Sequence, residues 1–208
     1  QDNQQYFNNE LDQLCISMLN EPELTSVALS LLGNMCNTAD QNLLYHTLKY
    51  EEGELSLFQI LIEMISTEYT ADAFWIMSSL FDNLSNELMS YITPEFIQYV
   101  LSIGESSNFH IKKESTFFIA TVITKVSAAY IPQFAESDEL INTLIEMLSC
   151  DESKVIIRCF FAISYIVKAL QVSQGTDAVM NVFCGTELSN QIVALKELLD
   201  AGQINDED

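Results

Sequence analysis

Apolar residues return every three or four positions along most of this chain. Leu55-x-x-Phe58-x-x-Leu61-x-x-Met64-Ile65 and Leu140-Ile141-x-x-Leu144-Ile145-x-Met147-Leu148 are the clearest runs. That period gathers apolar side chains on one face of a helix. Alternation at period two, the mark of a half-buried strand, never lasts more than a few residues. The pattern predicts a chain built from helices.

The most apolar helices also resemble one another. Four segments align without gaps: Val27–Met35, Asp72–Leu80, Glu114–Val122 and Arg158–Ile166. Their fourth column holds Ser30, Trp75, Phe117 and Phe161, spaced 45, 42 and 44 residues apart. Two positions on, each copy is large and apolar (Leu32, Met77, Ile119, Ile163), and three on, each is small (Gly33, Ser78, Ala120, Ser164). A further apolar column follows with Met35, Leu80, Val122 and Ile166. Small residues beside large ones suit close helix crossings, and a near-constant period marks a repeat array.

Each unit reads the same way inside. A short helix comes first (Asn42–Lys49, Asn86–Ile92, Ala129–Phe134), then an amphipathic one (Leu55–Ser66, Glu95–Ile103, Asp138–Leu148), then the long helix with the columns. Glu51-Glu52-Gly53, Thr93-Pro94 and Pro132 punctuate the joints. Three helices in about 42 residues is the armadillo arrangement, with HEAT repeats as the two-helix neighbour. The expected fold is all-α, an armadillo-type α-solenoid forming a right-handed superhelix with one concave groove lined by third helices. Repeats are expected over about 7–38, 41–84, 86–127, 129–170 and 173–201, with an acidic tail at 202–208. Phe7–Asn20 and Thr186–Leu199 read as the second helices of the terminal repeats.

Charge narrows the partners. The 208 residues carry 30 acidic side chains against 8 basic ones, a formal charge of −22. At 49% hydrophobic content the chain still has enough apolar side chains to bury a core, which excludes disorder. So few basic residues argue against nucleic acid and anionic membranes, both of which need Lys and Arg clusters. An acidic surface instead suits basic partners or serves solubility. The apolar runs, such as Phe117–Val122, stop short of the ~18 residues a membrane helix needs.

Candidate chemistry is sparse. Cys15, Cys36, Cys150, Cys159 and Cys184 are odd in number and lack a C-x-x-C, which predicts buried, reduced thiols in an intracellular protein. His46 and His110 have no Cys or carboxylate at metal spacing and read as surface or hinge residues, so no metal or cofactor is expected. No phosphate-binding loop, dinucleotide fingerprint or nucleophile elbow occurs, which predicts a non-enzymatic protein. The opening Gln-Asp-Asn-Gln-Gln lacks both a methionine and a signal peptide, so a fragment of a longer protein is expected.

The repeat columns resemble those of the importin alpha nuclear-import adaptors. Asp72-Ala73-Phe74-Trp75-Ile76-Met77-Ser78 follows that family's acidic-Ala-x-Trp-x-hydrophobic-Ser pattern. Lys112-Lys113-Glu114-Ser115-Thr116-Phe117-Phe118-Ile119 is similar to its Lys-Lys-Glu-Ala-Cys-Trp-x-Ile version, and Leu32-Gly33-Asn34 to its Leu-Gly-Asn ending. Cys159-Phe160-Phe161-Ala162-Ile163-Ser164-Tyr165 and the segment Ala194–Gln203 also look like family segments, so the resemblance spans nearly the whole chain. It implies a cytoplasmic or nuclear adaptor, with the nuclear transport machinery as a further partner. It also implies a basic or extended peptide held on the groove, lysines over aromatic rings, Asn side chains on its backbone and acids on the cationic heads.

Carried over by position, the aromatic row is Ser30, Trp75, Phe117 and Phe161. The polar row is Asn34, Ser79, Thr121 and Tyr165, so Trp and Asn never fall in the same repeat. Asp72 and Glu114 lie three residues before the aromatic row, on the same helix face, where they would meet a lysine or simply favour a helix N-terminus. Arg158 takes that place in the fourth copy, so a cationic site should lie toward Asp72. Phe117 and Phe161 each adjoin a second ring (Phe118, Phe160), and one of each pair should face inward. Two functions remain open: a peptide-binding adaptor, or an armadillo scaffold that docks a folded protein with no transport role.

Overall fold

The computed structural model describes residues 11, 13–37, 44, 51–52 and 55–200. The protein is all-helical apart from a short hairpin in which Glu51–Glu52 pairs antiparallel with Leu55–Ser56. It comprises two compact units, Gln1–Tyr91 and Ile92–Asp208.

In the first unit residues 13–18 are helical, followed by α1 (Thr25–Cys36), α2 (Leu57–Met64) and α3 (Thr70–Leu88). Both α1 and α2 pack on α3. The reason is in the pattern: Ala28, Leu29, Leu32 and Cys36 of α1 and Phe74, Met77, Leu80 and Phe81 of α3 are fully buried. The backbone N–H of Ser56 donates to Gln59 Oε1 at 2.9 Å, fixing the start of α2. Phe58 meets Tyr91 with ring centroids 5.1 Å apart. The long α3 breaks at Leu84 (φ −127°, ψ 35°), so residues 85–88 form a separate helical turn running on into a 3₁₀ turn at Met89–Tyr91. The first short helix expected at Asn42–Lys49 lies outside the described residues except for Leu44, which is buried.

The second unit holds α4 (Pro94–Ser106), α5 (Phe109–Lys125), α6 (Ile131–Ala135), α7 (Asp138–Glu146), α8 (Ser153–Gln174), α9 (Thr176–Phe183) and α10 (Leu188–Asp200). A 3₁₀ turn at Ala128–Tyr130 leads into α6, and another at Met147–Ser149 follows α7. Polar side chains set the helix starts. Thr93, Asn108 and Ser137 accept from backbone N–H groups of Phe96, Ile111 and Leu140 at 3.1, 3.1 and 3.2 Å. Helix α8 packs on α5, α6, α7 and α9, and α4 packs on α5. At the α4–α5 crossing a Cβ on Gly104 would stand 2.5 Å from Ser115 Oγ, so a side chain there would have to displace that hydroxyl. Gly175, at φ 88°, turns the chain between α8 and α9.

One expectation from the apolar runs needs correction. Helix α8 spans 22 residues with a mean hydropathy of 1.8 over its most apolar stretch, so by length and composition it is apolar enough to cross a membrane. Uninterrupted runs miss it, because Arg158 and Lys168 interrupt the apolar stretch that follows Lys154. Its buried face, Val155, Ile156, Cys159, Ala162, Ile163, Ile166, Ala169 and Leu170, is packed within the unit.

All five cysteines are free thiols. Cys15, Cys36 and Cys159 are buried, Cys150 is half-buried, and Cys184 is exposed. Burial pushes the Cys36 thiol up to about 12 and raises Cys159 as well, so both are inert at neutral pH.

Candidate functional site

In the first unit the expected site residues come together on two adjacent helices. Asn34 on α1 and Asp72 on α3 are exposed, and Trp75 and Ser79 are partly exposed. The indole of Trp75 is seated on Gly33, where any Cβ would overlap its Cζ3 and Cη2 atoms. Gly33 of the small column thus receives Trp75 of the aromatic column. Asn34 follows Gly33 on the same helix and is exposed. The Ser79 hydroxyl donates to the Trp75 carbonyl at 3.2 Å, turning toward its own helix.

The second unit treats the same columns differently. Phe118 is the buried member of its pair, meeting Phe96 edge-on at 6.2 Å between centroids, while Phe117 is partly exposed. Of the other pair neither ring is buried: Phe160 is 42% exposed and Phe161 60%. The expectation that one ring of each pair faces inward therefore holds for Phe117–Phe118 and fails for Phe160–Phe161. The reason is register, because Cys159, Ala162 and Ile163 supply the inner face of α8 on either side of the two rings.

Glu114 and Thr121 do not stand where a ligand would meet them. Thr121 has no exposed surface, and its hydroxyl donates to the Phe117 carbonyl at 2.9 Å. Glu114 is buried and lies 4.0 Å from Lys113. Burial raises its carboxyl above the usual range, with Lys154 and Lys113 opposing. Lys113 itself contacts Glu152, and that hydrogen bond chiefly holds the ammonium above its ordinary value. Burial works to raise Glu152, but hydrogen bonds from Lys113 and from Lys154 (2.9 Å) outweigh it and pull its carboxyl down. An internal charge cluster thus occupies the place expected for a ligand's lysine.

Of the expected site residues of this unit, Phe161 and Tyr165 border a cavity of about 350 Å³. Thr124 and Lys125 of α5 line it with Arg158, Phe161, Tyr165 and Lys168 of α8. The Tyr165 hydroxyl donates to the Val126 carbonyl at 3.1 Å, so the ring stands as a wall rather than as a free donor. The Arg158 guanidinium lies over the Phe117 ring, 5.3 Å from its centroid, and occupies the face a ligand's lysine would need. Lys125 and Lys168 were not among the expected site residues. The signal for Lys168 was available, since Arg158, Phe161, Tyr165 and Lys168 recur at three, four and three on one helical face.

Among the described residues no group of three or more His, Cys, Asp and Glu side chains is placed to hold a metal ion. His110 is exposed in the first turn of α5.

No protein-family model matches the chain, and no curated protein matches it in sequence. In three dimensions it is similar to the crystal structure of an engineered protein, with a TM-score of 0.58 at 13% identity, over 93% of this chain and 85% of the other. At that identity the likeness is one of fold alone.

Proposed function

We propose that this chain is an armadillo-type α-solenoid resembling a divergent importin alpha, and that it acts as a non-enzymatic adaptor binding basic or extended peptides. The observation that carries the reading is the Trp75 site of the first unit. A partly exposed indole rests on Gly33, with exposed Asp72 one helical turn before it and exposed Asn34 on the neighbouring helix. A lysine stem packs on such a ring, a carboxylate holds its head, and an amide both donates to and accepts from an extended backbone. The long-helix columns and the packing of α6 and α7 on α8 support the repeat assignment. Cytoplasmic or nuclear residence and a role in nuclear import belong to the same proposal.

Trp75 is the only tryptophan, so its fluorescence reports on this site alone. Titration with a Lys/Arg-rich peptide at low salt should quench it, and Asp72→Asn should weaken binding by about threefold to tenfold. A salt series separates specific contacts from bulk attraction to an acidic protein. A flat titration would remove the peptide reading. The alternative is then a scaffold docking a folded protein, favoured by Arg158 lying on Phe117 in the second unit, where it repels basic peptides.

A further inference from the structure

The cavity of the second unit has the opposite charge to the protein around it. Only 8 of the 208 residues are basic, yet Lys125, Arg158 and Lys168 all line this one space, and no carboxylate is among its lining residues. Register produces the concentration. On α8 the positions Arg158, Phe161, Tyr165 and Lys168 share one face, beside the buried stripe of Cys159, Ala162, Ile166 and Ala169. The C-terminal turn of α5 then brings Lys125 to the same place, where its charge also offsets the negative end of that helix.

The arrangement is suited to hold an anion with an apolar neighbour. Phe161 is 60% exposed, an aromatic surface beside the cations that the fold itself leaves uncovered. The Tyr165 hydroxyl takes up the Val126 carbonyl, an acceptor that would otherwise compete with an incoming carboxylate. Stacking on Phe117 positions the Arg158 guanidinium. Lys125 and Arg158 also have partners within the protein, so the discriminating positions are Lys168 and Phe161. A volume of about 350 Å³ is of the order of two amino-acid side chains.

We propose that this cavity binds an acidic segment of a partner polypeptide, taking a carboxylate side chain among Lys125, Arg158 and Lys168 and an adjacent apolar or aromatic side chain on Phe161. The site does not depend on the Trp75 reading, and its ligand carries the opposite charge.

The test uses a fluorescein-labelled peptide of alternating Glu and Phe, followed by anisotropy at low salt, with the Lys-for-Glu counterpart as control. The protein's net charge of −22 repels such a peptide in bulk, so saturable binding requires a local site. Lys168→Glu should weaken it about tenfold and Phe161→Ala about threefold to tenfold. Both side chains are exposed, so circular dichroism should show both variants folded. Asp72→Asn should leave acidic-peptide binding unchanged, which keeps this result separate from the Trp75 titration. Absence of saturable binding, or binding indifferent to both cavity variants, would overturn the proposal. So would full displacement by inorganic phosphate with Phe161→Ala neutral, since that reduces the cavity to a generic anion site.

Discussion

A single missing methyl group decides how the first unit presents its tryptophan. Gly33 lies in a column of small residues, and the indole of Trp75 occupies the volume a side chain there would fill. Alanine favours helix over glycine by about 1 kcal/mol, which on its own would stabilise α1. Overlap with an indole wedged between two helices is the larger effect, typically about 1–3 kcal/mol for forced overpacking. Gly33→Ala is therefore expected to lower the urea midpoint and shift Trp75 emission to the red as the ring is pushed outward. A stabilised variant with unchanged emission would show that the ring is not seated on Gly33. The small column could be seen in the sequence. The choice between Phe117 and Phe118, and the exposure of both Phe160 and Phe161, could not. Adjacent residues on a helix differ by about 100°, and only the position of the neighbouring helices settles which of them is covered.

At the scale of elements, the long helices of the alignment all form, and their ends follow local chemistry. Thr93 and Asn108 stand at helix starts because their side chains accept from N–H groups that the helix leaves unpaired, and Pro94 follows Thr93 at a position where no N–H is needed. Asn108→Ala should cost about 1 kcal/mol, read as a lowered denaturant midpoint, whereas Asn108→Ser should stay close to the parent. An unchanged midpoint for the alanine variant would mean that packing of α5 against α4 and α8 fixes its start unaided. The break at Leu84 was legible too, since the sequence pattern separates a long helix from a short one at Asn86–Ile92. Uninterrupted runs understate the apolar length of α8, because two cations divide a stretch whose average remains apolar.

Across the whole molecule the net charge of −22 works against compactness. Like charges on a folded surface repel, and salt screens them over about 10 Å at 0.1 M. The melting temperature should rise between about 10 mM and about 0.5 M sodium chloride. A falling Tm would show that the pairs Lys112–Glu146 (2.7 Å) and Lys154–Glu152 (2.9 Å), with the Lys113–Glu152 contact, outweigh the repulsion.

The sequence by itself determined that the chain is helical, where its long helices lie and which of their faces are apolar, because period and capping are local properties. Only tertiary structure decided which aromatics are covered. It also buried Glu114 beside Lys113 and brought Lys125 across to Arg158 and Lys168. Those outcomes depend on residues more than twenty positions apart meeting through packed helices, and no spacing along one helix encodes that meeting.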